Sequence, residues 1–447
     1  MGRGTVNAPR ARIVCISKDD ACLDALTVSF HDAGYEVITP GSCAADLCAV
    51  DLRTQNISSK KVRSIAAVLR HKSPEAAIFF LIDPGLNARG RAALRRFGEV
   101  IPATDTFEHL LERCRQMLRL RNIAEESGER MKSLAALNKL VEFPAIATSN
   151  EPLNILIAGA PGPAASSCIS AVSCTVDQYT GVLTAGQTLR ALDHNDFDAA
   201  IFLPLEQNDT LYSVTRAMRR NKKYAGVPII HIAEDESTLP LLAKQGASEF
   251  MLRGHITDDL GVKIQLAARR YRLLRSMRDF LRACTGVGVR DQTSGAFTAS
   301  FLAEHGARIC ARADQTGRPL SAALIQLTAS SDVETRPGHK IMHQAARLMN
   351  RITRAEDLTA RIGPDTFVVL CPATIAADVQ TMALRIDGVL TNTVFREGQT
   401  NTLHSVTVNA AICARNPGTA IEEVIAALIK EKNNQAPATP PRLQSPE

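Results

Sequence analysis

The sequence has no long apolar segment and no paired cysteine motif. A membrane-spanning helix needs about 20 apolar residues, and no stretch of this chain provides them. The start of the chain also lacks the apolar core of a secretory signal peptide. The eleven cysteines lie singly, without a CxxC pair, which argues against a disulfide scaffold or a zinc site and favours buried thiols in a reducing compartment. These absences predict a cytoplasmic protein without a membrane span.

Length and charge set the scale of the molecule. With 447 residues, of which 45% are apolar, the chain is long enough for two to four domains with separate cores. The net charge of +6 is modest for this length. It is compatible with an anionic ligand or an acidic partner but does not by itself indicate nucleic-acid binding.

Short apolar stretches alternate with amphipathic helical patterns twice along the first 260 or so residues. The predicted strands are residues 12–16, 47–50 and 77–82 in the first copy, and residues 154–158, 199–203 and 227–232 in the second. This alternation predicts a parallel sheet with helices on both faces in each copy. Two copies of similar length and spacing indicate a tandem repeat.

Both copies resemble the receiver domains of bacterial response regulators, and the second carries Gly246-Ala-Ser-Glu-Phe250 before its last strand. The resemblance implies two flavodoxin-like domains and places Asp51 at the phosphoacceptor position of the first copy. The acidic pair that holds Mg²⁺ in working receivers reads Ser17-Lys18 here, although Asp19 and Asp20 follow directly.

The other receiver positions are also altered. Ile82 stands about where a threonine or serine belongs, and Ala103 about where a lysine belongs. Those side chains would bind the new phosphoryl charge. Asp51 is therefore either a phosphoacceptor or a solvated carboxylate at a strand end. In the second copy Leu203 or Pro204 occupies the acceptor position, which excludes phosphorylation there and favours a docking or dimerisation role.

The third region contains an Arg-x-x-Asp motif, Arg354 to Asp357, followed after five residues by Gly363-Pro-Asp-Thr-Phe367. This arrangement resembles the signature hairpin of GGDEF domains, which join two GTP molecules into cyclic di-GMP. Residues 291–295 and 320–326 are similar to the family's entry motif and first strand. The resemblance covers about residues 291–432 and implies an α+β, cyclase-like fold.

The catalytic positions of the GGDEF family are degenerate in this chain. Gln326 replaces a carboxylate ligand for Mg²⁺, and a neutral amide is a poor substitute. Gly363 is kept, but the second glycine of the motif is Pro364, which cannot reach positive φ. Asp365 keeps its acidic character, whereas the following glutamate is Thr366. The sequence therefore predicts no catalysis, no bound metal and no cofactor.

The inhibitory site of the family is a separate surface that binds an intercalated dimer of cyclic di-GMP. The resemblance assigns the clamping residues to Arg354 and Asp357, with further arginines at Arg385 and Arg312. A guanidinium suits phosphate and the edge of guanine, and a carboxylate accepts hydrogen bonds from guanine nitrogens. The resemblance also implies that Arg312 reaches the site of a second protomer in a homodimer. The alternative for each pair is an ordinary surface salt bridge.

The predicted organisation has six segments. They are a receiver-like domain at residues 1–122, a helical linker at 123–150, a degenerate receiver-like domain at 151–262, a connecting helix at 263–288, a degenerate GGDEF domain at 289–432 and a disordered tail at 433–447. This receiver–receiver–GGDEF order is that of the PleD-like proteins and of the non-catalytic PopA-type effectors.

The PopA-type likeness implies a cyclic di-GMP receptor that acts as an adaptor at the cell pole during the cell cycle. It also implies delivery of the regulator CtrA, through RcdA, to the ClpXP protease. Two alternatives stay open at this point. One is a residual diguanylate cyclase, and the other is a phosphorylation-driven response regulator that uses Asp51.

Overall fold

The computed structural model describes residues 9–42, 44–53, 59–83, 85–103, 107–137, 152–173, 176, 178–203, 211–221, 223–284, 289–330, 337–397 and 402–434. The described residues divide into two compact units. The first unit contains residues 11–120 and 152–276, and the second contains residues 9–10, 121–137 and 277–434. None of the described helices is long and apolar enough to cross a membrane.

The first copy of the repeat is a five-stranded parallel sheet. Its strands are β1 Arg12–Ile16, β2 Glu36–Val37, β3 Leu47–Asp51, β4 Ala77–Ile82 and β5 Glu99–Pro102, and its helices are α1 Asp20–Asp32, α2 Ser59–Lys72, α3 Ala88–Arg95 and α4 Glu108–Ala136. The strand order β2-β1-β3-β4-β5 is that of flavodoxin-like folds. Strand β3 is buried along its whole length, as the apolar residues that precede its terminal Asp51 predict.

The second copy has the same topology. Its strands are β6 Asn154–Ala158, β7 Gln178–Val182, β8 Ala199–Phe202, β9 Ile229–Ala233 and β10 Glu249–Leu252, and its helices are α5 Pro163–Ser173, α6 Ala185–His194, α7 Leu211–Arg220, α8 Leu239–Lys244 and α9 Ile256–Ala283. The order β7-β6-β8-β9-β10 matches the first copy strand for strand. The predicted tandem arrangement of two parallel α/β sheets is therefore confirmed. Strand β9 begins two residues later than predicted, after Pro228, which has no N–H to donate to a ladder.

The two copies pack against each other through equivalent charged positions. Glu99 and Glu249 begin the last strand of each copy, and Arg113 and Lys263 each follow their glutamate by 14 residues. Arg113 donates to Glu99 at 2.8 Å and lies 3.3 Å from Glu249, while Lys263 lies 3.1 Å from Glu249. Burial raises the pKa of Glu249, but Lys263 and Arg113 outweigh that effect and lower it. The contact between the copies is thus a buried charge network.

The third region folds around one six-stranded sheet. Its elements are β11 Phe297–Thr298, α10 Ala299–Thr316, β12 Leu320–Ser330, α11 His339–Ile352, β13 Leu358–Arg361, β14 Thr366–Pro372, α12 Ala376–Thr391, β15 Phe395–Glu397, β16 Thr402–Ala414 and α13 Ile421–Asn434. The strand order is β11-β13-β14-β12-β16-β15, and all pairs except β11–β13 are antiparallel. Apolar side chains of β12, β14, α11 and α12 form one core of this region.

Two long helices join these regions along the chain. The predicted connecting helix at residues 263–288 begins earlier than expected, since α9 runs from Ile256 to Ala283, and residues 285–288 lie outside the described residues. The predicted linker helix does not begin near residue 123, because α4 runs without a break from Glu108 to Ala136. Gly128 is the one glycine in that span, and an isolated glycine weakens a helix without ending it. Residues 138–151 and 435–447 lie outside the described residues, so the remainder of the linker and the predicted tail have no structural account.

Candidate functional site

The Arg-x-x-Asp motif forms a closed turn between α11 and β13. Thr353 ends the helix, and its N–H donates to Met349 at 2.9 Å. The N–H of Arg354 then donates to Asp357 Oδ2 at 2.7 Å, and the N–H of Asp357 donates back to the Arg354 carbonyl at 3.3 Å. Aspartate favours this local bond because its short side chain reaches the backbone of a neighbouring residue. The turn holds the arginine and the aspartate of the motif in a fixed relation.

The two side chains of the motif lie in different environments. The Arg354 side chain is exposed, whereas Asp357 is buried, with 8% of its surface accessible. The second oxygen of Asp357, Oδ1, has no nitrogen or oxygen donor among the described residues, and the thiol of Cys371, a weak donor, hydrogen-bonds the carboxylate. Burial and the adjacent Glu356 carboxylate raise the pKa of Asp357 to about 7, although Arg354 opposes them. The motif therefore presents an exposed cation beside a buried acceptor with spare capacity.

Arg385 lies on α12, one helical turn beyond Met382, which contacts the strand next to the motif. Asp357 directly precedes β13, and the pairing of Leu358 with Leu370 places it opposite Cys371. The sulfur of Cys371 lies 4.0 Å from that of Met382 on α12. Arg385 follows Met382 by three residues, so it lies on the same face of the helix one turn further along. Its side chain is exposed.

Arg312 lies on α10, where carboxylates of the same chain bind it. Its guanidinium is 3.1 Å from Glu125 and 3.3 Å from Glu129, both on α4. Arg318, just after α10, is also paired with Glu125. The structure therefore gives Arg312 intramolecular partners, whereas Arg354 and Arg385 are exposed. Its predicted role in a neighbouring protomer stays a prediction.

A buried acid on α4 accompanies these pairs. Glu126 accepts hydrogen bonds from Arg130 and from His305, each at 2.9 Å. His305 also contacts the Ser133 hydroxyl at 3.0 Å, and Arg130 lies over the ring of Phe297. Burial raises the pKa of Glu126, but His305 and Arg130 outweigh it and lower the pKa. This cluster fixes α4 against α10.

The hairpin at residues 363–367 satisfies its own polar groups. Gln326 on β12 donates to one oxygen of Asp365 at 3.1 Å, and the Thr366 hydroxyl donates to the other at 2.7 Å. Gln326 and Thr366 are direct partners in the β12–β14 ladder. Asp365 therefore has both oxygens engaged by neutral donors. Its environment favours a closed hydrogen-bond network over a cation site.

An arginine closes the other side of the same hairpin. Arg361 donates to the carbonyls of Gly363, at 2.9 Å, and of Pro364. It also donates to Asp291 at 2.9 Å. Neither Gly363 nor Pro364 adopts positive φ, so the hairpin does not use the backbone freedom that a glycine pair provides. The turn is held by its own side chains.

The Mg²⁺ that the resemblance to GGDEF domains implies does not fit the residues present. Mg²⁺ prefers carboxylate and water oxygens in near-octahedral geometry. At the first ligand position Gln326 turns its NH₂ group toward Asp365, where a metal site would need an oxygen. Within the part of the chain that the structure describes, no group of three or more His, Cys, Asp or Glu side chains could hold a metal ion.

The carboxylate of Asp51 in the first copy forms an ion pair with Arg53. It is buried, with 4% of its surface accessible. Arg53 donates to Asp51 Oδ1 at 2.9 Å, and the Ser17 hydroxyl donates to Oδ2 at 3.0 Å. Burial raises the pKa of Asp51, but these hydrogen bonds, with Arg53 foremost, lower it. The alternative of a solvated strand-end carboxylate does not describe Asp51, because the side chain is buried and ion-paired.

The nearby aspartates have other roles. Asp19 caps α1 by accepting from the N–H groups of Ala21 and Cys22, at 3.0 and 3.4 Å. Asp20 is exposed in the first turn of that helix. In the second copy Leu203 is buried, and Pro204 lies outside the described residues.

Sequence reasoning missed Arg53 and the acidic residues of α4. For Arg53 the signal was its position two residues after Asp51. For Glu125 and Glu129 the signal was weaker. Acids four residues apart share a helix face, but this spacing does not predict which basic residue they bind. Only the docking of α4 on α10 reveals that partner.

Comparisons with known proteins find similarity to GGDEF domains in the third region. Residues 291–436 match the family model described as diguanylate cyclase, GGDEF domain. The response regulator PleD of Caulobacter vibrioides, from strains NA1000 and CB 15, is 24% identical over 207 residues, which is 45% of this chain and 45% of that protein. The chain thus matches less than half the length of these relatives. Together the two findings support a receiver–GGDEF family of the cyclase type.

Solved structures give weaker similarity. The GGDEF domain of DgcB from Caulobacter crescentus, determined in complex with c-di-GMP, is 18% identical, with a TM-score of 0.30, and covers 32% of this chain and 85% of that one. The diguanylate cyclase SiaD of Pseudomonas aeruginosa, in complex with its activator SiaC, is 21% identical, with a TM-score of 0.31, and covers 36% and 62%.

Asp51 should resist phosphorylation, because Arg53 and Ser17 engage both of its oxygens. We expect no phosphoryl adduct after incubation with acetyl phosphate and Mg²⁺, measured by intact-mass spectrometry. Asp51→Asn is the control, and it should bind cyclic di-GMP as the wild type does. An adduct present in the wild type and absent from Asp51→Asn would contradict this expectation.

GTP turnover should be undetectable, because Gln326 and Pro364 remove a metal ligand and a flexible backbone position. The same result is expected for Arg354→Ala, which removes feedback inhibition if the motif is inhibitory. Chromatography of a reaction with GTP and Mg²⁺ measures the product. Cyclic di-GMP above the level of a sample without protein would show that the hairpin is catalytic.

Proposed function

We propose that this protein is a cyclic di-GMP receptor that binds the dinucleotide through the Arg354–Asp357 turn and does not synthesise it. The observation that supports this best is the turn itself. It combines an exposed guanidinium with a buried carboxylate that has a spare acceptor oxygen. A guanine offers the matching groups, since its N1–H and exocyclic amine donate and its O6 and N7 accept. Arg385 would add a second cation for the phosphates.

The catalytic hairpin supports the receptor over the cyclase. Its single acidic side chain, Asp365, is bound by Gln326 and Thr366, and its carbonyls are bound by Arg361. An enzyme of this family would need those groups for metal and triphosphate. The binding turn and the hairpin use different residues, so the first can act while the second is inactive.

The receptor would pass its signal to protein partners. On the likeness to PopA-type effectors we propose that it acts in the cytoplasm at a cell pole, as a homodimer. There it would couple the level of cyclic di-GMP to regulated proteolysis of a cell-cycle regulator, with RcdA, CtrA and ClpXP as the partners. Only that likeness supports these partners. The two receiver-like copies would provide docking surfaces, independent of phosphorylation at Asp51.

Arg354→Ala should weaken cyclic di-GMP binding by about 2–4 kcal/mol, or roughly 30- to 1,000-fold, which is typical of losing one partner of a desolvated charged contact. Isothermal titration of the full chain measures the change. Arg351→Ala is a matched control, because Arg351 is an exposed arginine on the last turn of α11. Equal affinity of Arg354→Ala and wild type would move the site elsewhere and remove the central support for this function.

Binding should tighten as the pH rises from 6 to 8. The pKa of Asp357 is raised to about 7 by burial and by Glu356, and only the ionised carboxylate accepts from both guanine donors. The fraction ionised grows about tenfold over this interval, and the dissociation constant should fall by the same factor. Asp357→Asn should give weak binding without that dependence. A flat pH profile in the wild type would show that Asp357 does not contact the ligand as an anion.

A further inference from the structure

The segment of α4 from Arg121 to Ala136 places a row of acids against the proposed receptor domain. Glu125, Glu126 and Glu129 lie within about one helical turn. Glu126 is the buried anchor, held by Arg130 and His305. Glu125 and Glu129 flank it and reach the arginines of the domain. These two flanking residues are called the acidic latch below.

The acidic latch binds Arg312 from two directions. One guanidinium nitrogen lies 3.1 Å from Glu125 and another lies 3.3 Å from Glu129. The Arg312 side chain keeps 30% of its surface accessible, whereas those of Glu125 and Glu129 keep 14% and 11%. The pairs are therefore largely withdrawn from water and screened less than surface pairs. Burial raises the pKa of Glu125, but Arg312 and Arg318 outweigh it and lower that pKa.

A small pocket opens beside these pairs. It is lined by Glu125, Arg312 and Arg318, and on the other side by Pro372 and Ala373. Ala373 has φ of 49° and is the one non-glycine residue at positive φ in the described part of the chain. A residue with a side chain keeps such a conformation only where its surroundings impose it. The pocket wall is thus a constrained turn that follows β14.

The residues of this pocket wall are close in sequence to the strand that pairs with the motif turn. Pro372 and Ala373 directly follow Cys371, the residue opposite Asp357 in the β13–β14 pairing. Glu126 is also close enough to Asp357 to help raise its pKa, after the larger effects of burial and Glu356. The carboxylate of Glu126 on α4 therefore lies close enough to the motif turn to influence the charge of Asp357.

We propose that the acidic latch is an internal competitor for the phosphates of cyclic di-GMP, and that Arg312 binds either Glu125 and Glu129 or the ligand. This inference rests on the proposed function and adds its regulation. Carboxylates and phosphates are both anions that bind a guanidinium through paired oxygens, so one arginine cannot serve both at once. The anchor at Glu126 keeps α4 in place while the flanking acids exchange their partner.

Competition of this kind lowers the apparent affinity for the ligand by the free energy needed to release the arginine. It also makes that affinity sensitive to anything that moves α4. Helix α4 continues without a break into the first receiver-like copy. A partner that stabilises the released form would tighten ligand binding, and by reciprocity the ligand would strengthen that partner's binding.

Glu125→Gln/Glu129→Gln should lower the dissociation constant for cyclic di-GMP about tenfold, within the range of typical coupling between sites. Titration of the full chain measures this, and Glu129→Gln alone should give a smaller gain with the Glu125–Arg318 pair intact. Glu112→Gln/Glu304→Gln is the matched control. It removes the same charge from α4 and α10 at side chains with 44% and 41% of their surface accessible, and it should bind as the wild type does.

Adding Arg312→Ala to the latch variant should abolish the gain, because the released arginine is then missing. Unchanged affinity in both latch variants, with wild-type binding that depends on Arg354, would overturn the latch alone. A gain that survives Arg312→Ala would overturn it as well. Absence of binding in every variant would overturn the proposed function and the latch together.

Discussion

The buried carboxylate of Glu126 is the constraint on which the arrangement of the third region depends. Its side chain is 1% accessible, so its charge must be compensated inside the protein. Arg130 and His305 do this from one turn along α4 and from α10. Removing a partner from such a buried pair typically costs about 3–5 kcal/mol, because the remaining charge is left without compensation. The pair therefore fixes both the position and the rotation of α4.

That rotation decides which neighbouring side chains can act. With Glu126 directed inward, Glu125 and Glu129 flank the anchor and meet Arg312. A helix turned by one residue would direct these acids elsewhere, since adjacent residues lie about 100° apart around a helix. One desolvated charge thus sets the access to an arginine of the proposed ligand site. Specificity, more than net stability, is the benefit expected from a buried ion pair of this kind.

The features predicted from the sequence are those that depend on short stretches of chain. Strands at residues 12–16, 77–82 and 154–158 were predicted with their bounds, because uninterrupted apolar runs mark buried strands. The motif turn joins residues three apart, so its closure is a local event. The pair between Arg312 and Glu129 spans 183 residues. It depends on how two amphipathic helices dock, which apolar periodicity does not specify.

The contact between the two receiver-like copies has a consequence of its own. Arg113 of one copy and Glu249 of the other meet within a single chain, so the association is intramolecular. Partners joined by a tether experience an effective concentration that is often in the millimolar range. Two separate proteins would need a comparable concentration to be paired to the same extent. Dilution of the protein therefore does not separate the two copies, because both belong to the same chain.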